Sequence, residues 1–196
     1  MFIQVMQAKC SRADDVRKFA DSYDDTDAVG FLGGTFGVTD EGEFLGVVRF
    51  ESAEAAAANS ARPETDAWAQ EFAALLDGPV SFADYDDVTE IRGGGSDSAG
   101  FVQVIRGRVD DADRAKRLIQ GFSDMTEVRP DVLGGTLAIG ADGGYTETIY
   151  FTDEAAARAG EQGEEPPPSE VAGDLEWMMD GASYYDLRNP WFESGS

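Results

Sequence analysis

The second half of this chain repeats the first, and this repeat constrains the fold more than any other feature of the sequence. Four pairs of segments match in the same order at an offset of about 100 residues, which indicates one ancestral unit used twice. The matched pairs are FIQVMQAK (2–9) with FVQVIRGR (101–108), FLGGTFGV (31–38) with VLGGTLAI (132–139), FESAEAAAA (50–58) with FTDEAAARA (151–159), and LLDG (75–78) with MMDG (178–181).

Each half also has the same predicted order of elements, β-α-β-β-α-β. A strand is followed by a helix, a β-hairpin, a second helical region and a fourth strand near 80–85 or 183–188. Between the halves, RGGGSDSAG (92–100) is typical of a flexible linker. We therefore predict one repeat over 1–91, a linker over 92–100 and a second repeat over 101–193.

Apolar residues at helical spacing support the two helical regions of each half. The spacing places each set of residues on one face of a helix, where we expect it to be buried. The predicted stripes are Val16, Phe19, Ala20 and Tyr23 with Ala115, Leu118, Ile119 and Phe122 in the first helices, and Trp68, Phe72, Leu75 and Leu76 with Val171, Leu175, Met178 and Met179 in the second.

The order β-α-β-β-α-β is that of a ferredoxin-like unit, in which both helices pack on one side of a four-stranded sheet. The other side of such a sheet is bare and needs a cover. Two repeats in one chain can cover each other. The predicted fold class is therefore α+β, with two ferredoxin-like repeats forming one intrachain, pseudo-dimeric α/β barrel.

Strand alternation assigns the side chains of the first strands to two faces. The aliphatic Ile3 and Val5 are predicted to lie under the helices, as are their counterparts in the second half. This assignment puts Gln4 and Gln103 on the face between the two sheets. A buried glutamine needs hydrogen-bond partners, so each either ties neighbouring strands together or contacts a ligand.

Alternation in the other strands places further polar side chains on the predicted barrel face. Arg49 and Tyr150 occupy matching positions of the third strand, and Thr35 and Thr136 match in the second. A buried arginine must meet either a carboxylate of the protein or an anionic or carbonyl group of a ligand. The phenol of Tyr150 either donates a hydrogen bond into a cavity or fills it.

The repeated LGGT segment raises the question of a phosphate-binding loop. Such a loop leads into the N-terminus of a helix, whereas these glycines continue into TFGV and TLAI and then into a hairpin. LGGT therefore marks the start of the second strand in each half. No glycine-rich motif stands between a strand and a helix, so a nucleotide cofactor is not expected.

Residue types that the sequence lacks exclude several kinds of catalytic site. The chain has no histidine, which excludes Ser-His-Asp and Cys-His catalysis, histidine metal sites and haem held by a proximal histidine. Cys10 is the only cysteine, so neither an internal disulfide nor a cysteine-rich metal site can form. We expect no metal and no bound cofactor.

Charge and hydropathy set the expected partners. The formal net charge is −24 at pH 7, which argues against nucleic acid and against anionic membranes as partners. The sequence shows neither a signal peptide nor an apolar run long enough to cross a membrane. We expect a cytoplasmic protein that is a monomeric pseudo-dimer or a weak homodimer and that binds a hydrophobic small molecule.

The element order, the paired LGGT hairpins and the FESAEAAAA segment resemble the dimeric α/β-barrel superfamily, which includes antibiotic-biosynthesis-monooxygenase-like proteins. The resemblance covers about 2–91 and 101–192, and it extends to two-repeat actinobacterial members without an assigned role. It implies an asparagine and a tryptophan beside an aromatic substrate, at Asn59 and Trp68 in this chain. From the residues alone, Asn59 equally suits a helix C-cap and Trp68 suits core packing.

Three functions are compatible with these patterns. The first is a cofactor-independent, monooxygenase-like or isomerase/cyclase-like enzyme acting on a hydrophobic or aromatic molecule. The second is a non-catalytic binder of such a molecule, and the third is a structural or association module with a filled barrel. The predicted catalytic residues are Asn59, Arg49 and Tyr150, and the predicted substrate-binding residues are Gln4, Gln103, Trp68, Thr35 and Thr136.

Overall fold

A computed structural model describes residues 1–22, 28–123, 129–162 and 169–195 of the chain. Their contacts group them into two compact units, one formed by Met1–Asp86 with Asn189–Ser196 and the other by Asp87–Arg188. The elements, in chain order, are β1 (Phe2–Lys9), α1 (Ala13–Ala20), β2 (Phe31–Val38), β3 (Glu43–Phe50), α2 (Ala53–Ser60), α3 (Pro63–Ala73), β4 (Ser81–Tyr85), β5 (Asp87–Ile91), β6 (Phe101–Arg108), α4 (Ala112–Ser123), β7 (Val132–Ile139), β8 (Gly144–Phe151), α5 (Glu154–Glu161), α6 (Ser169–Met179), β9 (Ser183–Leu187) and β10 (Trp191–Ser194).

The first unit contains a five-stranded antiparallel sheet in the order β10-β2-β3-β1-β4. One row of residues crosses the whole sheet, because each member pairs in register with the next. From edge to edge this row is Glu193, Gly34, Val48, Gln4 and Asp84. Since paired residues point to the same side of a sheet, these side chains share one face.

The second unit repeats this plan with the sheet order β5-β7-β8-β6-β9. The equivalent row is Ile91, Gly135, Ile149, Gln103 and Asp186. Its two central strands and its glycine correspond to those of the first row. Its edge differs, because an isoleucine occupies the place of Glu193.

The α+β class and the ferredoxin-like order of each repeat are confirmed, including the fourth strands near 80–85 and 183–188. Each sheet also has a fifth strand that the sequence analysis does not predict. This strand comes from β10 in the first unit and from β5 in the second. The division into 1–91, 92–100 and 101–193 stays a prediction about the repeats. The contacts instead place the segment after β4 in the second unit and the segment after β9 in the first.

Matching side chains begin the short helix that follows the third strand of each repeat. Ser52 Oγ accepts a hydrogen bond from Ala55 N at 3.2 Å at the start of α2. Asp153 Oδ1 accepts one from Ala156 N at 2.8 Å at the start of α5. Both satisfy an amide that the first turn of a helix leaves without an intrahelical partner.

Most of the predicted helix stripes lie in the cores between the helices and the sheets. In the first unit, Val16, Phe72 and Leu76 are buried with Phe44 and Trp191. The matching core of the second unit contains the residues Ala115, Leu118, Ile119 and Met178, among others. Tyr23 and the side chain of Phe122 belong to the predicted stripes but lie outside the described part of the structure.

The first strands have the opposite orientation to the predicted one. Ile3 and Val5 pair with Arg49 and Val47, on the face turned away from the helices. Gln4 pairs with Val48 and lies under the helices. The prediction failed because both faces of this strand are buried and mostly apolar, so alternation alone cannot tell which face meets the helices.

Candidate functional site

The first unit has a cavity of about 500 Å³ between its sheet and the helices α2 and α3. Strands β1 and β3 supply Gln4 and Val48 to the floor, and the helices supply Asn59 and Trp68 to the walls. This volume is in the range of small-molecule sites, which are typically concave and largely apolar. Three of the predicted site residues, Gln4, Asn59 and Trp68, are therefore brought together.

Aromatic rings dominate the wall of this cavity. The rings that line it are Phe31, Phe36, Phe50, Trp68, Phe72 and Phe82. Trp68 stacks on Phe72 with centroids 4.8 Å apart and on Phe19 with centroids 5.5 Å apart. Core packing and cavity lining are thus combined in Trp68. Phe82 is 60% exposed, which places it where the cavity opens to solvent.

Amides and carboxylates supply the polar part of the lining. Gln4 Nε2 donates a hydrogen bond to Asp84 Oδ1 at 2.9 Å, so this glutamine connects two neighbouring strands. Asn59 lies in the last turn of α2, and its Oδ1 accepts a hydrogen bond from Arg62 Nη1 at 3.3 Å. Asp66 and Glu193 add carboxylates to the same lining.

The equivalent place in the second unit is a cavity of about 430 Å³ lined by charged side chains. Gln103 Nε2 donates to Asp186 Oδ1 at 2.9 Å, as Gln4 does to Asp84. Here, however, the aspartate also binds the guanidinium groups of Arg158 and Arg188. Arg158 further contacts Glu161, with 3.1 Å between Nη1 and Oε1.

Single substitutions between the repeats explain why one cavity is apolar and the other charged. Arg158 stands where the aligned segments of the first repeat have Ala57. Gly160 stands where the first repeat has Asn59, and a Cβ atom at this glycine would collide with the guanidinium of Arg129. The second repeat thus has Arg129 and Arg158 in its cavity lining, at positions where the first repeat has Ala28 and Ala57.

The remaining predicted residues do not join the cavity of the first unit. Arg49 Nη1 donates to Thr35 Oγ1 at 3.2 Å, and both side chains are buried on the sheet face away from the helices. In the second unit Thr136 and Tyr150 are buried on the corresponding face. The predicted catalytic set of Asn59, Arg49 and Tyr150 is therefore not assembled in one site, because Asn59 projects on the helix side.

Sequence reasoning missed two acidic residues. Glu193 enters the cavity of the first unit on β10, a strand that was not predicted. The alternation of WFES after Asn189–Pro190 is the signal that could have revealed this strand. Glu147 on β8 was the other omission, and its signal is a glutamate that shares one face of a strand with Tyr145 and Ile149 by alternation.

Glu147 lies in the core of the second unit and is only 2% exposed. Its neighbours in the sheet are Ile105 and Leu137, and its Oε2 makes no hydrogen bond to the described residues. Burial raises the pKa of Glu147 to about 7, because a low-dielectric surrounding disfavours the charged carboxylate. Gly46 occupies the matching position of the first repeat, where Met6 and Phe36 cover it closely.

Two kinds of feature are missing from the part of the chain that the structure describes. No three histidine, cysteine, aspartate or glutamate side chains cluster in a way that could hold a metal ion. No helix there has the length and apolar character needed to cross a membrane.

Comparisons with known proteins identify solved structures that have this architecture. No protein-family model matches the sequence, and no curated protein matches it. A candidate monooxygenase from Lactobacillus acidophilus NCFM matches with a TM-score of 0.75 and 12% identity, covering 100% of this chain and 96% of that one. The fold is shared with monooxygenase-like proteins. An anthrone oxidase-like protein matches with a TM-score of 0.67 and 11% identity, covering 100% and 93%.

A third match carries the name of the predicted group. It is a ferredoxin-fold protein from Listeria monocytogenes 4b F2365 that is related to antibiotic biosynthesis monooxygenases, with a TM-score of 0.53 and 9% identity. The match covers 95% of this chain and 94% of that one. The predicted resemblance is thus confirmed for the fold. At such identities a fold says little about chemistry, so function must be argued from the site.

Proposed function

We propose that the first unit binds a hydrophobic, aromatic small molecule in its cavity and acts on it in a monooxygenase-like reaction without an added cofactor. The observation that supports the proposal most is the aromatic lining together with Gln4 and Asn59. Flat rings suit a flat, apolar ligand, and a few polar groups orient it. The name of one structural neighbour, anthrone oxidase-like, fits a ligand of this kind.

The proposed chemistry assigns a role to Asn59. Oxygenation of an activated aromatic carbon passes through a species in which negative charge develops on the substrate oxygen. The Nδ2 group of Asn59 is the donor that we propose for this oxygen, because an amide nitrogen donates hydrogen bonds whereas Oδ1 only accepts them. Gln4 and Trp68 would hold the ring system in place, and positioning of this sort supplies a large share of catalysis.

Oxygen uptake with anthrone as the probe tests this reaction. The proposal predicts that one O₂ is consumed per anthrone, giving one anthraquinone and one water, with the substrate supplying the electrons. Asn59→Ala should lower kcat about a hundredfold, as the loss of an oxyanion donor does. The exposed Glu71 on α3 lies outside the cavity, so Glu71→Gln should behave like the unmodified protein.

Uptake that Asn59→Ala leaves unchanged would contradict the monooxygenase-like role. Conversion of a substrate without oxygen uptake would favour the isomerase/cyclase-like reaction.

The described lining holds no tyrosine, cysteine, lysine or arginine, and this observation favours non-catalytic binding as the second candidate. Tight binding of anthrone without turnover would support that candidate. As part of the proposal, we place the protein in the cytoplasm.

A further inference from the structure

In the second repeat, two guanidinium groups are bound by a frame of two aromatic rings and one carboxylate, namely Phe101, Phe151 and Asp186. The guanidinium of Arg158 lies over the ring of Phe101 at 5.3 Å from the centroid and forms an ion pair with Asp186. The guanidinium of Arg129 lies over the ring of Phe151 at 5.9 Å. An aromatic face and a carboxylate both attract a cation, and they do so more strongly where water is partly excluded.

The first repeat keeps this frame and lacks its cations. Phe50 and Asp84 stand where the second repeat has Phe151 and Asp186, and the link from glutamine to aspartate is the same. The positions that correspond to Arg129 and Arg158 are Ala28 and Ala57.

The ionisable groups around the cavity of the first unit are mostly acidic. Its described lining includes Asp66 and Glu193, and Asp84 is bound directly to Gln4. Glu193 and Asp84 lie at opposite ends of the same row of paired residues, one on each edge strand of the sheet. Because neighbouring strands are about 4.8 Å apart, these two residues are about 19 Å apart. The cation Arg62 reaches this lining through its hydrogen bond to Asn59 Oδ1.

We propose that the ligand of this cavity carries a protonated amine, which replaces the guanidinium groups that Asp186 and Phe151 hold in the second repeat and so lies near Asp84 and Phe50. The inference rests on the proposed function, because it specifies the ligand of the same site. An ammonium group there would meet an aromatic face and the carboxylate of Asp84. A carboxylate ligand would meet like charges in a largely apolar cavity and is disfavoured.

Three probes that share one ring system separate this proposal from general hydrophobic binding. They are 2-naphthylmethylamine, 2-naphthylmethanol and 2-naphthoate, each titrated into the full chain by calorimetry at pH 7. We expect the amine to bind at least about tenfold more tightly than the alcohol, and the carboxylate to bind most weakly. Sodium chloride at about 0.5 M screens the general attraction of an acidic protein for cations.

Variants locate the amine. Asp84→Asn keeps an acceptor for Gln4 and should weaken binding of the amine about fivefold while leaving the alcohol unchanged, a difference typical of one exposed ion pair. Glu71→Gln removes the same charge from an exposed position outside the cavity and should change nothing. Ala57→Arg places a guanidinium where the second repeat has one, and it should abolish amine binding.

Two other results are decisive. If all three probes bind with equal affinity and Ala57→Arg displaces all of them, the preference for an amine is wrong while the cavity remains the ligand site. If none of the probes binds the unmodified chain, both this inference and the proposed function are contradicted.

Discussion

Single side chains decide what each repeat can do with the space between its sheet and its helices. The first repeat has the exposed Ala57, outside the cavity lining, where the second has Arg158, which lines the cavity of that unit and contacts Asp186 and Glu161. Arg188 beside Glu154 holds the pKa of that carboxyl below its usual range, through hydrogen bonds of 2.8 and 2.9 Å. The duplicated fold therefore supports one apolar cavity and one network of ion pairs.

Glu147 makes the stability of the second unit depend on pH. Its pKa rises from 4.5 when exposed to about 7 in the fold, so the folded state holds the proton more tightly than the unfolded state does. The stability associated with the neutral carboxyl is fully present below pH 4.5 and is lost as pH rises toward 7. The expected loss is about 3 kcal/mol, since each pKa unit corresponds to about 1.4 kcal/mol.

Denaturant unfolding of Glu147→Gln at pH 4 and pH 8 measures this effect. The neutral amide should raise the free energy of unfolding at pH 8 relative to the unmodified chain, and the difference should shrink at pH 4. The exposed Glu176 on α6 provides a matched control, and Glu176→Gln should give no pH-dependent difference. A Glu147→Gln effect of equal size at both pH values would show that ionisation of this side chain is not involved.

At the scale of elements, the helix α2 depends on its first turn, and this helix carries Asn59 into the cavity. Ser52→Ala removes the side-chain acceptor for Ala55 N and should lower the free energy of unfolding by about 1 kcal/mol. Ser52→Asp, which copies Asp153 of the second repeat, should retain the stability or increase it, because a negative charge suits a helix N-terminus. Urea denaturation of the two variants distinguishes these effects. An unchanged free energy of unfolding in Ser52→Ala would show that the serine does not act as a cap.

The sequence predicts the elements of the repeats well because their signals are local. Alternating strands, the apolar helix stripes and the LGGT hairpins recur twice, so each half supports the interpretation of the other. The fifth strands escaped prediction because β5 and β10 are short and pair with β7 and β2, which are distant in the chain. Nothing in a segment such as WFES indicates which sheet it will join.

The candidate site was predictable only in part. Asn59 and Trp68 came from resemblance to a family, and Gln4 from its recurrence as Gln103. Alternation separates the two faces of a strand but does not tell which face the helices cover, so it cannot reveal that Arg49 and Asn59 lie on opposite sides of the sheet. Whether the two sheets close into the predicted barrel stays a prediction, as does the role of every site residue.

At the scale of the whole molecule, charge repulsion should dominate over ion pairing. The formal net charge of −24 destabilises a compact chain through self-repulsion, and salt screens this repulsion. We therefore expect Tm, followed by circular dichroism, to rise by several degrees between low salt and about 0.5 M sodium chloride. Sucrose solutions of matched osmolality serve as the uncharged control. A fall in Tm with salt would show that attractive pairs such as Arg158 with Asp186 contribute more than the repulsion.

The most direct test of the account is whether a small molecule binds in the first unit and only there. Calorimetric titration with the neutral probe 2-naphthylmethanol measures both affinity and stoichiometry, independently of any preference for amines. The account predicts one molecule bound per chain, and it predicts that Ala57→Arg, which copies the second repeat, abolishes this binding. Absence of binding, or binding that Ala57→Arg leaves unchanged, would contradict the account.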